Sequence, residues 1–227
     1  TEPAVTDQGQ GVYIKVLANI GRGGGLSLDE QVSLLPTTGA EGVGLGRTEF
    51  LYMDRKELPS EAELAQEYSR AAGICPGKMY IRAIDRQPDK NSPLFGATDN
   101  FGIDFLLYDE IGKSLFRVQL RAALRAYALG SKNIGLFVPM ISSTVDIQDS
   151  INFFNSIKEE LAVEGIERKR LDMDFSFMIE TPGAVDNCDF ILKKAEGFIN
   201  IGVNDLGRLT LRISREEDGE GKLAILQ

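Results

Sequence analysis

Six short apolar runs, separated by segments of helical period, set the narrowest limit on what this chain can fold into. They cover residues 12–20, 42–47, 79–85, 134–140, 175–180 and 198–205. They read as buried on both faces, the pattern of parallel-sheet strands rather than half-exposed antiparallel ones. The second run is short and glycine-rich. Residues 60–68 begin with a capping box, Ser60 with Glu63, at the start of a helix. Residues 115–129 carry Leu120, Leu124 and Tyr127 at helical spacing. Arg117, Arg121 and Arg125 form a second row there, expected to be solvated or to face an interface. Residues 144–162 place Ile147, Ile151, Phe154, Ile157 and Leu161 on one side of a helix. A weaker helix is expected over 26–35. Another, over roughly 183–195, would join the fifth and sixth runs into a βαβ unit.

This alternation predicts an α/β fold, a TIM-type (β/α)8 barrel that is incomplete, with about six of its eight βα units. After Asp205 there is room for one further element at most. The pattern favours a missing part that belongs to a longer protein, over a second chain supplying it or a smaller open sheet. The whole of residues 1–227 reads as one barrel domain, truncated at its C-terminal end. Residues 23–25 and 86–96 are the most loop-like stretches, and the second could reach over the strand ends.

Bulk properties exclude several functions. A net charge of -9 argues against a generic nucleic-acid or anionic-membrane surface. No run is long enough to span a membrane and no secretory signal is present. The complete lack of histidine removes histidine acid–base catalysis, histidine-ligated zinc and any phosphohistidine on this chain. Cys75 and Cys188 have no metal-binding spacing. They are expected to be buried thiols in a reducing, cytoplasmic setting. The chain opens on Thr1 rather than Met, as an excised or processed piece would.

In parallel α/β folds the ligand sits at the carboxyl ends of the strands. The second strand ends on Arg47, with Glu49 close behind as an orienting partner for an arginine. The third delivers Arg82 and Asp85, the fifth Glu180, and the sixth Asn204 and Asp205. Arg215 follows ten residues later, and Lys90 lies in the loop after the third strand. Glu180 and Asp205 would sit side by side, and two carboxylates with a carboxamide suit an oxygen-liganded divalent cation such as Mg2+. Guanidinium forks match carboxylate and phosphate geometry. Together these residues describe a pocket for a small phosphorylated carboxylic acid.

Five segments carry a family resemblance. They are Gly42-Val-Gly-Leu-Gly-Arg-Thr-Glu-Phe-Leu-Tyr-Met-Asp54, Ile81-Arg-Ala-Ile-Asp85, Phe137-Val-Pro-Met-Ile141, Met178-Ile-Glu-Thr-Pro182 and Ile201-Gly-Val-Asn-Asp-Leu206. They closely resemble the C-terminal phosphoenolpyruvate-binding barrel of Enzyme I of the bacterial sugar phosphotransferase system, a phosphoenolpyruvate-protein phosphotransferase. Pyruvate phosphate dikinase and phosphoenolpyruvate synthase share the barrel and most of these motifs. The resemblance implies that Arg47, Arg82, Asn204, Arg215 and Lys90 contact substrate, and that Glu180 and Asp205 ligate magnesium. It also implies a Mg2+-dependent transfer of the phosphoryl group from phosphoenolpyruvate to a histidine on a separate domain, with pyruvate as product, and a dimer formed through the barrel.

This chain departs from that pattern at several places. Gln87-Pro88 stands where the family has Gly-Gly, and Asp104 stands where it has an arginine. Asn204-Asp-Leu-Gly-Arg-Leu209 replaces Asn-Asp-Leu-Thr-Gln-Tyr. The family's catalytic late-loop cysteine has no counterpart, so no catalytic residue is expected on this chain. Two readings follow. One is the phosphoenolpyruvate-binding part of a phosphotransferase, or of a dikinase-like enzyme. The other is a divergent, non-catalytic binding module.

Overall fold

The computed structural model describes residues 4–5, 11–12, 14–21, 25–53, 55–87, 92–96 and 98–213. Two short strands, β1 (Ala4–Val5) and β2 (Gly11–Val12), pair antiparallel ahead of the main sheet. That sheet has six strands: β3 (Ala18–Ile20), β4 (Val43–Gly46), β5 (Met79–Arg82), β6 (Ile134–Val138), β7 (Asp174–Ile179) and β8 (Asn200–Ile201). Their order in space is their order in the chain, and every adjacent pair is parallel. This is a curled half-barrel, the expected incomplete TIM-type architecture. Among the described residues β8 does not pair with β3. Ile201 of β8 and Val203, just past the strand, stand 64% and 70% exposed.

The helices are α1 (Leu28–Ser33), α2 (Leu35–Thr38), α3 (Glu61–Ile74), α4 (Gly102–Tyr108), α5 (Glu110–Leu129), α6 (Thr144–Val163), α7 (Pro182–Asp186), α8 (Cys188–Lys194) and α9 (Val203–Leu211). The capping box of α3 forms as expected: Ser60 Oγ accepts from the Glu63 N–H, and Glu63 accepts from the Ser60 N–H.

Several boundaries differ from the sequence expectation. The first run joins the sheet only at Ala18, because the four-residue β4 offers few ladder partners and a bulge falls between Ala18 and Asn19. The helix expected over 26–35 is broken at Leu34 and restarts with Pro36 in the first turn of α2, where a missing N–H does no harm. The helix expected over 115–129 begins earlier, at Glu110. Asp109 caps it by accepting from the N–H groups of Ile111 and Gly112, both at 3.0 Å. The helix expected over 183–195 is two, interrupted at Asn187, whose side-chain amide donates to the Gly183 carbonyl at 2.8 Å. The arginine row faces an interface. Arg121 binds Glu61, Glu160 and Glu164 at 2.6, 3.0 and 2.7 Å, tying α5 to α3 and α6. Cys75 and Cys188 are free but half-buried, not buried.

The main core lies between the sheet and its outer helices. Phe154 of α6 stacks on Phe175 of β7 with centroids 4.2 Å apart. A smaller cluster, Tyr80, Phe137 and Met178, fills the concave face. Phe198 stacks on Tyr80 at 4.8 Å and closes the base of that concavity. Side chains alternate between the two faces of a strand, so on β7 Phe175 and Phe177 point to the helices. Met178 and, past the strand end, Glu180 point into the half-barrel. Among the described residues no helix is long and apolar enough to cross a membrane.

Candidate functional site

A cavity of about 330 Å³ opens at the C-terminal ends of the strands. Arg47, Arg82, Glu180, Asn204 and Asp205 all line it. These are five of the seven residues expected to bind substrate or metal. The other two, Lys90 and Arg215, lie outside the described residues. A second cavity of about 620 Å³, beside β3, α1 and α2, shares Ala18, Asn19, Arg47 and Asn204 with the first.

Arg82 ends β5 and is 3% exposed. Its guanidinium meets Glu49 at 2.5 Å and Asp85 at 3.2 Å. Glu49 also accepts from the Asp85 N–H at 3.1 Å, so one carboxylate orients both the arginine and the turn behind it. Glu49 therefore has the orienting role expected of it, and the arginine it orients is Arg82. Burial opposes the charge on Arg82, but Glu49, then Asp85 and Glu180, outweigh it and raise the guanidinium above its ordinary value. The Arg82 Nε is buried and has no hydrogen-bond partner.

Beneath Arg82 lies a polar network that sequence reasoning missed. Gln119 of α5 donates to Thr48 Oγ1 at 2.9 Å and to the Arg82 carbonyl at 3.2 Å, and accepts from the Ile84 N–H at 3.0 Å. Thr48 Oγ1 donates to the same Arg82 carbonyl at 2.9 Å. The signal was present: Gln119 is a polar residue inside the apolar stripe that includes Leu115, Phe116 and Leu120.

Glu180 is 1% exposed. Its Oε1 accepts from the Met140 N–H at 2.9 Å. Burial, with Asp85 and Asp205 nearby, pushes its carboxyl up to about 7, against the opposing pull of Arg82 and the Met140 N–H. Met140 sits just past β6 with φ of 57°, a left-handed conformation unusual for a non-glycine.

The sixth run differs most from expectation. Asn204 and Asp205 do not end a strand; they lie in the first turn of α9. Gly202 makes the switch. A Cβ there would stand 2.6 Å from Glu180 Cβ and 2.7 Å from Glu180 Oε2, so only glycine lets the start of α9 come this close to Glu180. Asp205 is ion-paired with Arg208, one turn along the same helix.

The donor chemistry suits a hard divalent cation, since the neighbouring carboxylates of Glu180 and Asp205 gain from a positive charge between them. Among the described residues no three cysteine, histidine or carboxylate side chains converge to hold a metal by themselves. Glu180 and Asp205 would supply two positions, and ligand oxygens or waters the rest.

Comparison with known proteins identifies the lineage. The model of the PEP-utilising enzyme, PEP-binding domain matches residues 1–224. The chain is 34% identical over 211 residues to a phosphoenolpyruvate-protein phosphotransferase of Staphylococcus epidermidis, covering 90% of this chain and 35% of that protein. It is 36% identical over 222 residues to the Haemophilus influenzae protein of the same name, covering 94% and 36%. It is 36% identical over 231 residues to that of Cupriavidus necator, covering 97% and 37%. The chain thus spans about a third of the length of the curated relatives it matches. With its parallel half-barrel and its cavity at the strand ends, the chain belongs to the PEP-utilising enzyme family, as a PEP-binding domain.

Proposed function

We propose that the cavity at the strand ends binds phosphoenolpyruvate together with Mg2+, and that this chain serves a phosphoenolpyruvate-protein phosphotransferase. The observation that carries this reading is the convergence of Arg47, Arg82, Glu180, Asn204 and Asp205 on one cavity of about 330 Å³. Arg47 and Arg82 hold the phosphate and carboxylate of the ligand, and the orphaned Arg82 Nε supplies a donor that a ligand oxygen satisfies. Asn204 adds a carboxamide contact. Lys90 and Arg215, which lie outside the described residues, are further substrate contacts by the family resemblance alone. Glu180 and Asp205 hold the magnesium, whose charge neutralises ligand oxygens during phosphoryl transfer.

The chain contains no histidine. In this reading the phosphoryl group passes to a histidine of a separate domain outside these 227 residues, and the enolate left behind takes up a proton and leaves as pyruvate. In that setting the protein's work is positioning and charge neutralisation, which a pre-built clamp supplies. Sugar transport as the wider role, a cytoplasmic location and a homodimer through the barrel belong to the same reading.

Titration calorimetry with phosphoenolpyruvate and Mg2+ tests it. Wild type is expected to bind and Arg47→Ala to lose at least about tenfold in affinity, since a charge-assisted contact is worth roughly 1.5–3 kcal/mol. Unchanged affinity in Arg47→Ala would exclude the clamp. One observation favours the second reading, a binding module without turnover: Asp205 already holds a cationic partner, Arg208.

A further inference from the structure

We propose that Arg208 competes with the divalent cation for Asp205, so that the chain carries a built-in brake on metal binding. The inference rests on the reading of Glu180 and Asp205 as the cation's ligands. Arg208 and Asp205 stand three residues apart on α9, on the same face of the helix. Their side chains are 12% and 15% exposed, so water screens the pair little. The Arg208 guanidinium engages Asp205 Oδ1 directly. A divalent ion would need that same carboxylate.

Asp205 lines the cavity, whereas Arg208 is not among the residues that line it. The pairing thus leaves Arg208 outside the lining of the ligand space. Its cost falls on the metal in two ways. The Asp205–Arg208 contact must loosen before the carboxylate can give its full charge to the ion. A guanidinium left within reach of the same carboxylate then repels the ion. The Arg208 charge does not itself oppose an anion, so any cost to phosphoenolpyruvate comes only through the metal that bridges to it. The metal alone is therefore expected to bind more weakly than it would at the same acid pair without Arg208.

The test measures Mn2+ alone, by calorimetry and by the electron paramagnetic resonance of free Mn2+, on wild type, Arg208→Gln, Arg208→Lys and the double variant Arg208→Gln/Asp205→Asn. Thermal melts check that each variant folds. Arg208→Gln is expected to bind Mn2+ about tenfold tighter than wild type, the scale of one charge-assisted hydrogen bond. Arg208→Lys, which keeps the charge and loses the fork, should fall between them. The double variant should lose the gain, placing it at Asp205. Equal Mn2+ affinity in wild type and in both folded Arg208 variants would overturn the competition. If that shared affinity still falls with Glu180→Gln, the cation reading stands without the brake. If Mn2+ binds none of the variants, or binds with no dependence on Glu180 and Asp205, the cation reading fails and the brake fails with it.

Discussion

Met140 holds Glu180: its main-chain N–H donates to Glu180 Oε1 at 2.9 Å from a left-handed backbone with φ of 57°. A non-glycine residue in that region costs of order 1–3 kcal/mol and persists only where its surroundings enforce it. Gly102, itself at φ of 54°, packs against Met140 so closely that a Cβ there would stand 2.9 Å from Met140 Cβ. Met140 thus touches both the start of α4 and the Glu180 carboxylate.

Gly102→Ala is therefore expected to destabilise the fold by about 1–3 kcal/mol, from the positive φ and the contact with Met140 together. Met140→Gly keeps the N–H and relieves the backbone, and should be tolerated far better. Urea denaturation of both variants checks the order. Equal losses would mean that Met140 carries no strain.

The pH dependence of stability should carry the mark of Glu180. Its carboxyl lies at about 7 in the fold, above its ordinary value, because of burial and then the neighbouring Asp85 and Asp205. The folded state then holds a proton that the unfolded chain has already released. This contribution is full below about pH 4 and is lost as pH rises through about 7, amounting to roughly 3 kcal/mol at most. Glu180→Gln should be more stable than wild type at pH 8 and no more stable at pH 4, both without divalent cation. Denaturation midpoints at the two pH values decide it, and an identical difference at both would refute the buried proton.

Gln119→Leu should cost about 1–3 kcal/mol, because it strands the Ile84 N–H and removes a donor to the Arg82 carbonyl in a fully buried site. It should also weaken phosphoenolpyruvate binding without touching the ligand, since Arg82 loses its footing. Calorimetry on the folded variant separates the two effects; full affinity would confine Gln119 to the core.

The barrel order was legible because buried parallel strands leave apolar runs and the intervening helices leave a 3.6-residue period. The Ser60–Glu63 box and Glu180 at a strand end followed from local chemistry alone. Placing Asn204 and Asp205 on a helix did not follow. The run from Phe198 reads as one strand, and only the approach of Gly202 to Glu180, distant in sequence, turns it. The Arg82–Glu49 pair was half legible. Glu49 had the right role, but which arginine it meets is set by how the turn after β4 folds back onto the Arg82 end of β5, which spacing cannot express. α4 was missed because it depends on Gly102 taking a positive φ against Met140.

The central claim is that Glu180 and Asp205 hold a cation that bridges to an anion gripped by Arg47 and Arg82. Calorimetric titration of phosphoenolpyruvate into wild type and Glu180→Ala, each with and without Mg2+, tests it most directly. The expected result is weak binding to wild type that requires Mg2+ and is abolished in Glu180→Ala. Equal heats with and without the metal, or an unaltered isotherm in Glu180→Ala, would contradict it.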